Sequence, residues 1–299
     1  MTVAAAWVRT IRDCEELVFV SDSRLSGGAR TFDYCAKILT LPRSDCAIAF
    51  AGETDNAYPL MHQLALAIDV FGPLRERRMD IREVRSHAIK IFDSMSSSIS
   101  SAFEEARTPD NVWFLFGGYS WVAKEFFLWK IEYSKERKGF IDVPAVLLAT
   151  NSGAKKVFLL SERSALRDNT SRILGQVAFA GDQGGEGMKR LLALMTERYQ
   201  QEPKMFDAGS LNLEPFEVVR DMLRDSARAH SIGGAPQVVK VYQHMNTQPI
   251  AVIWPSAKDG QVFLQGRPLL GYENIDSWVI DPDTLRTCDA RSLKKQDTP

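Results

Sequence analysis

The sequence predicts an α+β chain folded as a four-layer αββα sandwich, and three observations lead there. Short runs of β-favouring residues come first, then two segments with helical periodicity, strands, two more helical segments, and strands again. Each helical segment carries a single apolar stripe, as helices do when they cover the outer face of a sheet. No internal repeat and no long linker divides the chain, so one domain is expected over residues 1–288, with a flexible tail at 289–299.

Residues 2–9 and 17–21 read as strands on either side of a polar turn, and Gly27-Gly28 breaks the chain after the second. Two more strands are expected at 37–41 and 46–51, with Pro42 to Asp45 turning between them. The period then changes. Met61, Leu64, Ala65, Ile68 and Phe71 recur at helical spacing behind the start signal Thr54-Asp55-Asn56. A second stripe runs through Val84, Ala88, Ile91, Met95, Ile99 and Phe103, and the serines between Ser94 and Ser101 fall mostly off it. Strands return at 112–116, 126–131 and 145–149, whereas 151–176 is less regular, with a strand or short helix at 157–160. A strand at 177–180 ends in Gly181. Helical stripes then pass through Met188, Leu191, Leu192, Met195 and Tyr199, and through Phe216, Val219, Met222 and Leu223. Gly233-Gly234 stops the last helix before strands at 238–242, 250–254 and 262–264.

The chain has 299 residues, 45% hydrophobic and 25% charged, at a net charge of -1. This balance argues against nucleic acid as a partner, because phosphate binding needs clustered Lys and Arg. Cys14, Cys35, Cys46 and Cys288 show no CxxC spacing, and Cys46 lies in an apolar run, as a buried thiol would. His62, His87, His230 and His244 form no HExxH-type pair, so neither a metal nor any other cofactor is expected. No apolar run approaches the ~20 residues that span a bilayer, and no signal-peptide pattern opens the chain. No membrane association and a cytoplasmic setting with reduced thiols are the expectation.

Four features then stand in a telling order. Thr2 follows the initiator Met directly, Ser21-Asp22-Ser23-Arg24 closes the second strand, Lys37-Ile38 opens the next, and Ala49-Phe50-Ala51-Gly52 leads through Asp55 into a helix. In this order the chain resembles the proteasome β-subunit family, in its bacterial HslV and ancestral-β-subunit branches, within the N-terminal-nucleophile hydrolases. The likeness is good over roughly the first 70 residues and extends in element order to about residue 245. It implies the αββα fold of those hydrolases and a threonine peptidase. Thr2 would be the nucleophile and its α-amine, freed by removal of Met1, the base. Lys37 would lower the pKa of that amine, Asp22 would hold Lys37, and the Gly52 N–H would serve as oxyanion donor. Substrate would add as a β-strand along Ser26 and Gly52, with Phe50 lining the pocket for the side chain before the cut. The implied substrate is peptide or unfolded protein. The implied assembly is a homo-oligomeric ring or helix, with an ATP-dependent unfoldase as a partner.

Plainer readings stand beside these. Thr2 is also a β-favouring strand residue behind a start codon, Asp22 a turn cap, Lys37 a solvent-facing strand residue, and Gly52 a strand end. Asp225, His230 and Ser231 suggest a triad, although a helix C-terminus explains them better. The chain departs from the family in its longer first hairpin and in Gly181-Asp182-Gln183, where a Gly-Ser-Gly turn is common. It also carries extra material near 135–175 and after about 245. Two other functions stay open: a hydrolase of small amides that uses the same nucleophile, and an inactive structural or regulatory subunit.

Overall fold

A tight antiparallel hairpin lies at the centre of the fold. Ala4–Ile11 (β1) and Cys14–Ser21 (β2) pair along their whole length, from Ala4↔Ser21 to Ile11↔Cys14, and Arg12 at φ 55° turns the chain between them. The computed structural model describes residues 2–12, 14–27, 30–98, 108–151, 153–161, 171–206, 211–225 and 232–290. After β2 come Leu25–Gly27 (β3), Arg30–Phe32 (β4), Ile38–Thr40 (β5) and Cys46–Gly52 (β6). Helices Thr54–Val70 (α1), Gly72–Arg75 (α2) and Ile81–Ser96 (α3) follow. Strand returns in Val112–Ser120 (β7), Glu125–Ser134 (β8), Gly139–Pro144 (β9), Val146–Asn151 (β10), Lys156–Leu160 (β11) and Ser171–Ala180 (β12). Gly184–Gln201 (α4) and Glu214–Asp225 (α5) lead to the final strands. These are Gln237–Tyr242 (β13), Asn246–Trp254 (β14), Gln261–Leu264 (β15), Arg267–Pro268 (β16), Trp278–Ile280 (β17) and Thr287–Asp289 (β18).

Two sheets result, together with the small β3–β4 hairpin. The larger has eleven strands, in the order β11-β10-β12-β1-β2-β13-β14-β15-β16, with β17 branching parallel from β14 and β18 pairing β17. The smaller has five strands, β5-β6-β7-β8-β9, all antiparallel.

The expected four-layer αββα sandwich is therefore corrected. Among the described residues the chain is mainly antiparallel sheet, 41% strand against 28% helix in five helices, and one eleven-stranded sheet dominates. The reason is backbone pairing that side-chain periodicity does not report. The stretches near 135–175 and after about 245, read as additions to a regular sandwich, supply β9 to β11 and β14 to β18 at the sheet edges. At the start of the expected tail, 289–299, Asp289 pairs in β18 and Ala290 is buried, so these two are not flexible tail; residues 291–299 lie outside the described residues. The second helical stripe ends in α3 at Ser96, and Ile99 and Phe103 lie outside the described residues.

Strand alternation sorts the core into layers. Val3, Ala5 and Trp7 of the first strand segment face a cluster built with Leu191 and Met195 of α4 and Phe216 and Val219 of α5. Their neighbours Ala4 and Ala6, beside Ala180 and Ala178 of β12 in the same sheet, face the smaller sheet, where they meet Ala47, Ala49 and Ala51 of β6. This alanine seam lets the two sheets approach closely at one end. On the far side of β6, Ile48 and Phe50 pack with Leu60, Met61 and Leu64 of α1 and with Val84, Ala88 and Phe92 of α3. Cys46 is fully buried there, as expected. No helix among the described residues is long and apolar enough to cross a membrane.

Phe114 anchors that outer core, its ring 4.8 Å from Phe92 and 6.2 Å from Phe140. Phe114→Ala should lower stability by about 3–5 kcal/mol, because the vacated space is walled by sheet and helix and collapses poorly. Urea unfolding of wild type and variant measures it; a loss below ~1 kcal/mol would show that this cluster does not hold the small sheet to its helices.

Candidate active site

The register of the central hairpin starts the site. The Asp22 N–H donates to the Val3 carbonyl at 3.2 Å, as does Ser21 Oγ, and the Val3 N–H donates to Asp22 Oδ1 at 3.3 Å. Thr2, ahead of β1, and Asp22, just past β2, are thereby held at the same end of the hairpin. The longer hairpin leaves this end unaffected, because its ladder runs unbroken to Ile11↔Cys14.

Lys37 arrives from the other sheet, immediately before β5. Its main chain is clamped on both sides: the Lys37 N–H donates to Gln237 Oε1 at 2.9 Å, and the Phe50 N–H donates to the Lys37 carbonyl at 3.0 Å. The side chain turns inward, where Nζ donates to Asp22 Oδ1 at 2.9 Å and to Thr2 Oγ1 at 3.1 Å. The Lys37 and Asp22 side chains are 0% exposed, and Thr2 is 2% exposed. The solvent-facing reading of Lys37 is thus excluded.

Asp22 is more than a turn cap. Besides Lys37, its carboxylate accepts the N–H groups of Val3, Arg24 (3.2 Å) and Gly233 (3.3 Å). Burial pushes the Asp22 carboxyl up, while the Lys37 ammonium and these backbone donors pull it back. An ammonium and a carboxylate in contact, away from water, are costly to place and far costlier to separate.

Two glycines close the arrangement. Gly181 has φ +94°, and a Cβ there would sit 2.1 Å from the Thr2 carbonyl oxygen. Gly52 has φ +105°, and its Cβ would sit 1.9 Å from the Asn111 carbonyl oxygen. Only glycine fits either place. The turn after Gly181 brings in Asp182, whose Oδ1 accepts the Thr2 N–H at 2.6 Å.

Above this cluster lies a cleft of about 500 Å³. Thr2 and Asp182 form one wall, Ser26 and Gly27 of β3 another, and Gly52, Asp55 and Trp113 face them. The structure thus gathers Thr2, Asp22, Lys37, Gly52 and Ser26 in one place. It does not bring Phe50 there, and that expectation is corrected. The pleat of β6 points Ala49 and Ala51 at the intersheet seam and turns Phe50 to the helices, where it is 0% exposed and its ring lies 5.1 Å from Tyr58.

Sequence reasoning missed two residues. Asp182 was visible as the acidic residue of the altered turn, but nothing in the sequence shows that it meets Thr2 N. Gln237 is 0% exposed and donates through Nε2 to the carbonyls of Asp22 (3.0 Å) and Cys35 (2.7 Å), tying both lobes of the cluster together. Of the suggested triad, Asp225 pairs with Arg190 at 2.9 Å, and His230 and Ser231 lie outside the described residues.

Lys37→Met should cost about 3–5 kcal/mol, because it leaves the Asp22 charge buried without its cation. Adding Asp22→Asn should recover part of that loss, so the double variant unfolds at higher urea than Lys37→Met alone. Additive losses would show that the two groups are not coupled. No protein-family model matches this chain, and no curated protein matches its sequence, so the arrangement of Thr2, Lys37, Asp22 and Asp182 carries the functional reading.

Proposed function

We propose that the chain is a threonine-type N-terminal-nucleophile hydrolase, a proteasome-like peptidase in which scission of the Met1–Thr2 bond frees the catalytic residue. The observation that carries this reading is the buried Lys37 Nζ, bonded at once to Thr2 Oγ1 and Asp22 Oδ1 beneath an open cleft. A threonine hydroxyl needs a base and a nearby positive charge before it attacks an amide, and an ammonium in a dry site supplies the charge.

The steps follow from the positions. The neutral Thr2 amine takes the Oγ1 proton as Oγ1 bonds to the substrate carbonyl carbon. Lys37 stabilises the negative charge that develops on Oγ1, and the Gly52 N–H receives the charge on the carbonyl oxygen. The amine then passes its proton to the leaving nitrogen as the C–N bond breaks. Water, deprotonated by the same amine, hydrolyses the ester and restores Thr2.

Peptide suits the cleft better than a small amide. β3 pairs with β4 on one side, while Ser26 and Gly27 border the cleft and are exposed, so an extended chain can lie along that edge. We take the substrate to be peptide or unfolded protein, cut in the cytoplasm by a homo-oligomeric ring or helical assembly. An ATP-dependent unfoldase is the partner such an assembly would call for.

Intact mass of natively purified protein should show Met1 missing. A peptide epoxyketone, which captures amine and hydroxyl together, should then add to wild type and to Thr2→Ser but not to Thr2→Ala. Retention of Met1, or equal labelling of Thr2→Ala, refutes the assignment. Turnover of small amides with no turnover of peptides would move it to the small-amide class.

A further inference from the structure

We propose that Asp182 is the positioning residue of the Thr2 α-amine and sets the lower pH limit of the reaction, an inference that rests on the function proposed above. The contact is direct: Asp182 Oδ1 lies 2.6 Å from Thr2 N, whereas Lys37 Nζ reaches Thr2 through Oγ1, at 3.1 Å.

The carboxylate is held there by the turn itself. Gly181 takes φ +94° against the Thr2 carbonyl, the Gly184 N–H donates back to the Gly181 carbonyl at 2.9 Å, and the Gln183 N–H donates to the Thr2 carbonyl at 3.4 Å. The residue between Gly181 and Gln183 therefore has its side chain beside Thr2 N. An α-amine donating one N–H to Asp182 keeps its lone pair free for the Oγ1 proton.

The same contact has an electrostatic consequence. A carboxylate in hydrogen-bond contact stabilises the ammonium form of the amine, and an ammonium has no lone pair with which to accept the hydroxyl proton. The other charged groups around the amine weigh less. Lys37 favours the neutral amine, but its charge is shared with Asp22. Arg24 is bound in a two-pronged pair to Asp33, at 2.6 and 2.9 Å. Glu53 and Asp55, at the head of α1, are exposed, as Asp182 is, and act in the same direction, but of the three carboxylates Asp182 is the one in hydrogen-bond contact with Thr2 N. Asp182 therefore dominates, and it keeps the amine protonated to a higher pH than the rest of the cleft would.

The test is the pH dependence of inactivation by a peptide epoxyketone, followed by intact mass, in wild type, Asp182→Asn and Asp182→Ser. Both replacements remove the charge and keep an oxygen that can accept the N–H. The acidic limb should move down by about half to one pH unit in both variants, since Asp182 is exposed and its charge is partly screened, with rates converging on wild type above the limb. Titration of the Thr2 α-nitrogen by NMR should move by the same amount, and it reads the amine without any turnover. If neither replacement moves the limb, or if both slow inactivation equally at every pH, Asp182 is merely structural and the proposal fails. A wild type that retains Met1 overturns both this inference and the function it rests on. A wild type with a free Thr2 and an unmoved limb overturns this inference alone.

Discussion

A lysine ammonium with no access to water dominates this structure. Lys37 needs an anion and acceptors within reach, and Asp22 and Thr2 Oγ1 are what it has. Asp22 in turn needs more than one cation, and the N–H groups of Val3, Arg24 and Gly233 complete its shell. These donors come from the first hairpin, from the turn beyond β2 and from the segment leading into β13, so one buried charge makes distant parts of the chain depend on one another. Gln237 adds the main-chain tie, holding Lys37, Asp22 and Cys35 by their backbones. Few arrangements satisfy all these groups at once, which is why the site is specific in geometry even though a buried ion pair adds little net stability.

The sheets are shaped to bring those groups together. Alanines line the seam between them on three strands, and small side chains let the backbones close where larger ones would prop the layers apart. Away from the seam the faces carry large residues: Trp7 lies under α4 and α5, where it meets Phe216 of α5, and Phe50, Phe114 and Phe116 lie under α1 and α3. The helices thus brace the outer faces, while the sheets stay close along the seam and the cleft opens beside Thr2 and Gly52. The C-terminal strands extend the large sheet past this centre, and the turn between β15 and β16 returns to it, with Gly266 packed against Ser23 and Gln237.

Most strands and helices were legible because their side chains alternate or repeat at 3.6 residues. β9, the β3–β4 hairpin and the last three strands were not, since short edge strands bury little and leave no clean alternation. Lys37 illustrates the same limit in the site. Position in a strand suggested solvent, and only the meeting of two sheets buries it completely. Phe50 erred by one step of the pleat: a residue next to the seam on the sequence points away from it in space.

The amino-acid sequence by itself determined the local elements and the order Thr2, Asp22, Lys37, Gly52, because these depend on neighbours along the chain and on residue types that suit one chemistry. The tertiary structure alone decided the rest. Strand pairing, a choice made between backbones far apart in sequence, replaced the expected sandwich with a mainly antiparallel fold dominated by an eleven-stranded sheet. The same long-range packing placed Asp182 against the nitrogen of Thr2, 180 residues away. Burial and contact across such distances are properties of the closed fold, and no local pattern encodes them.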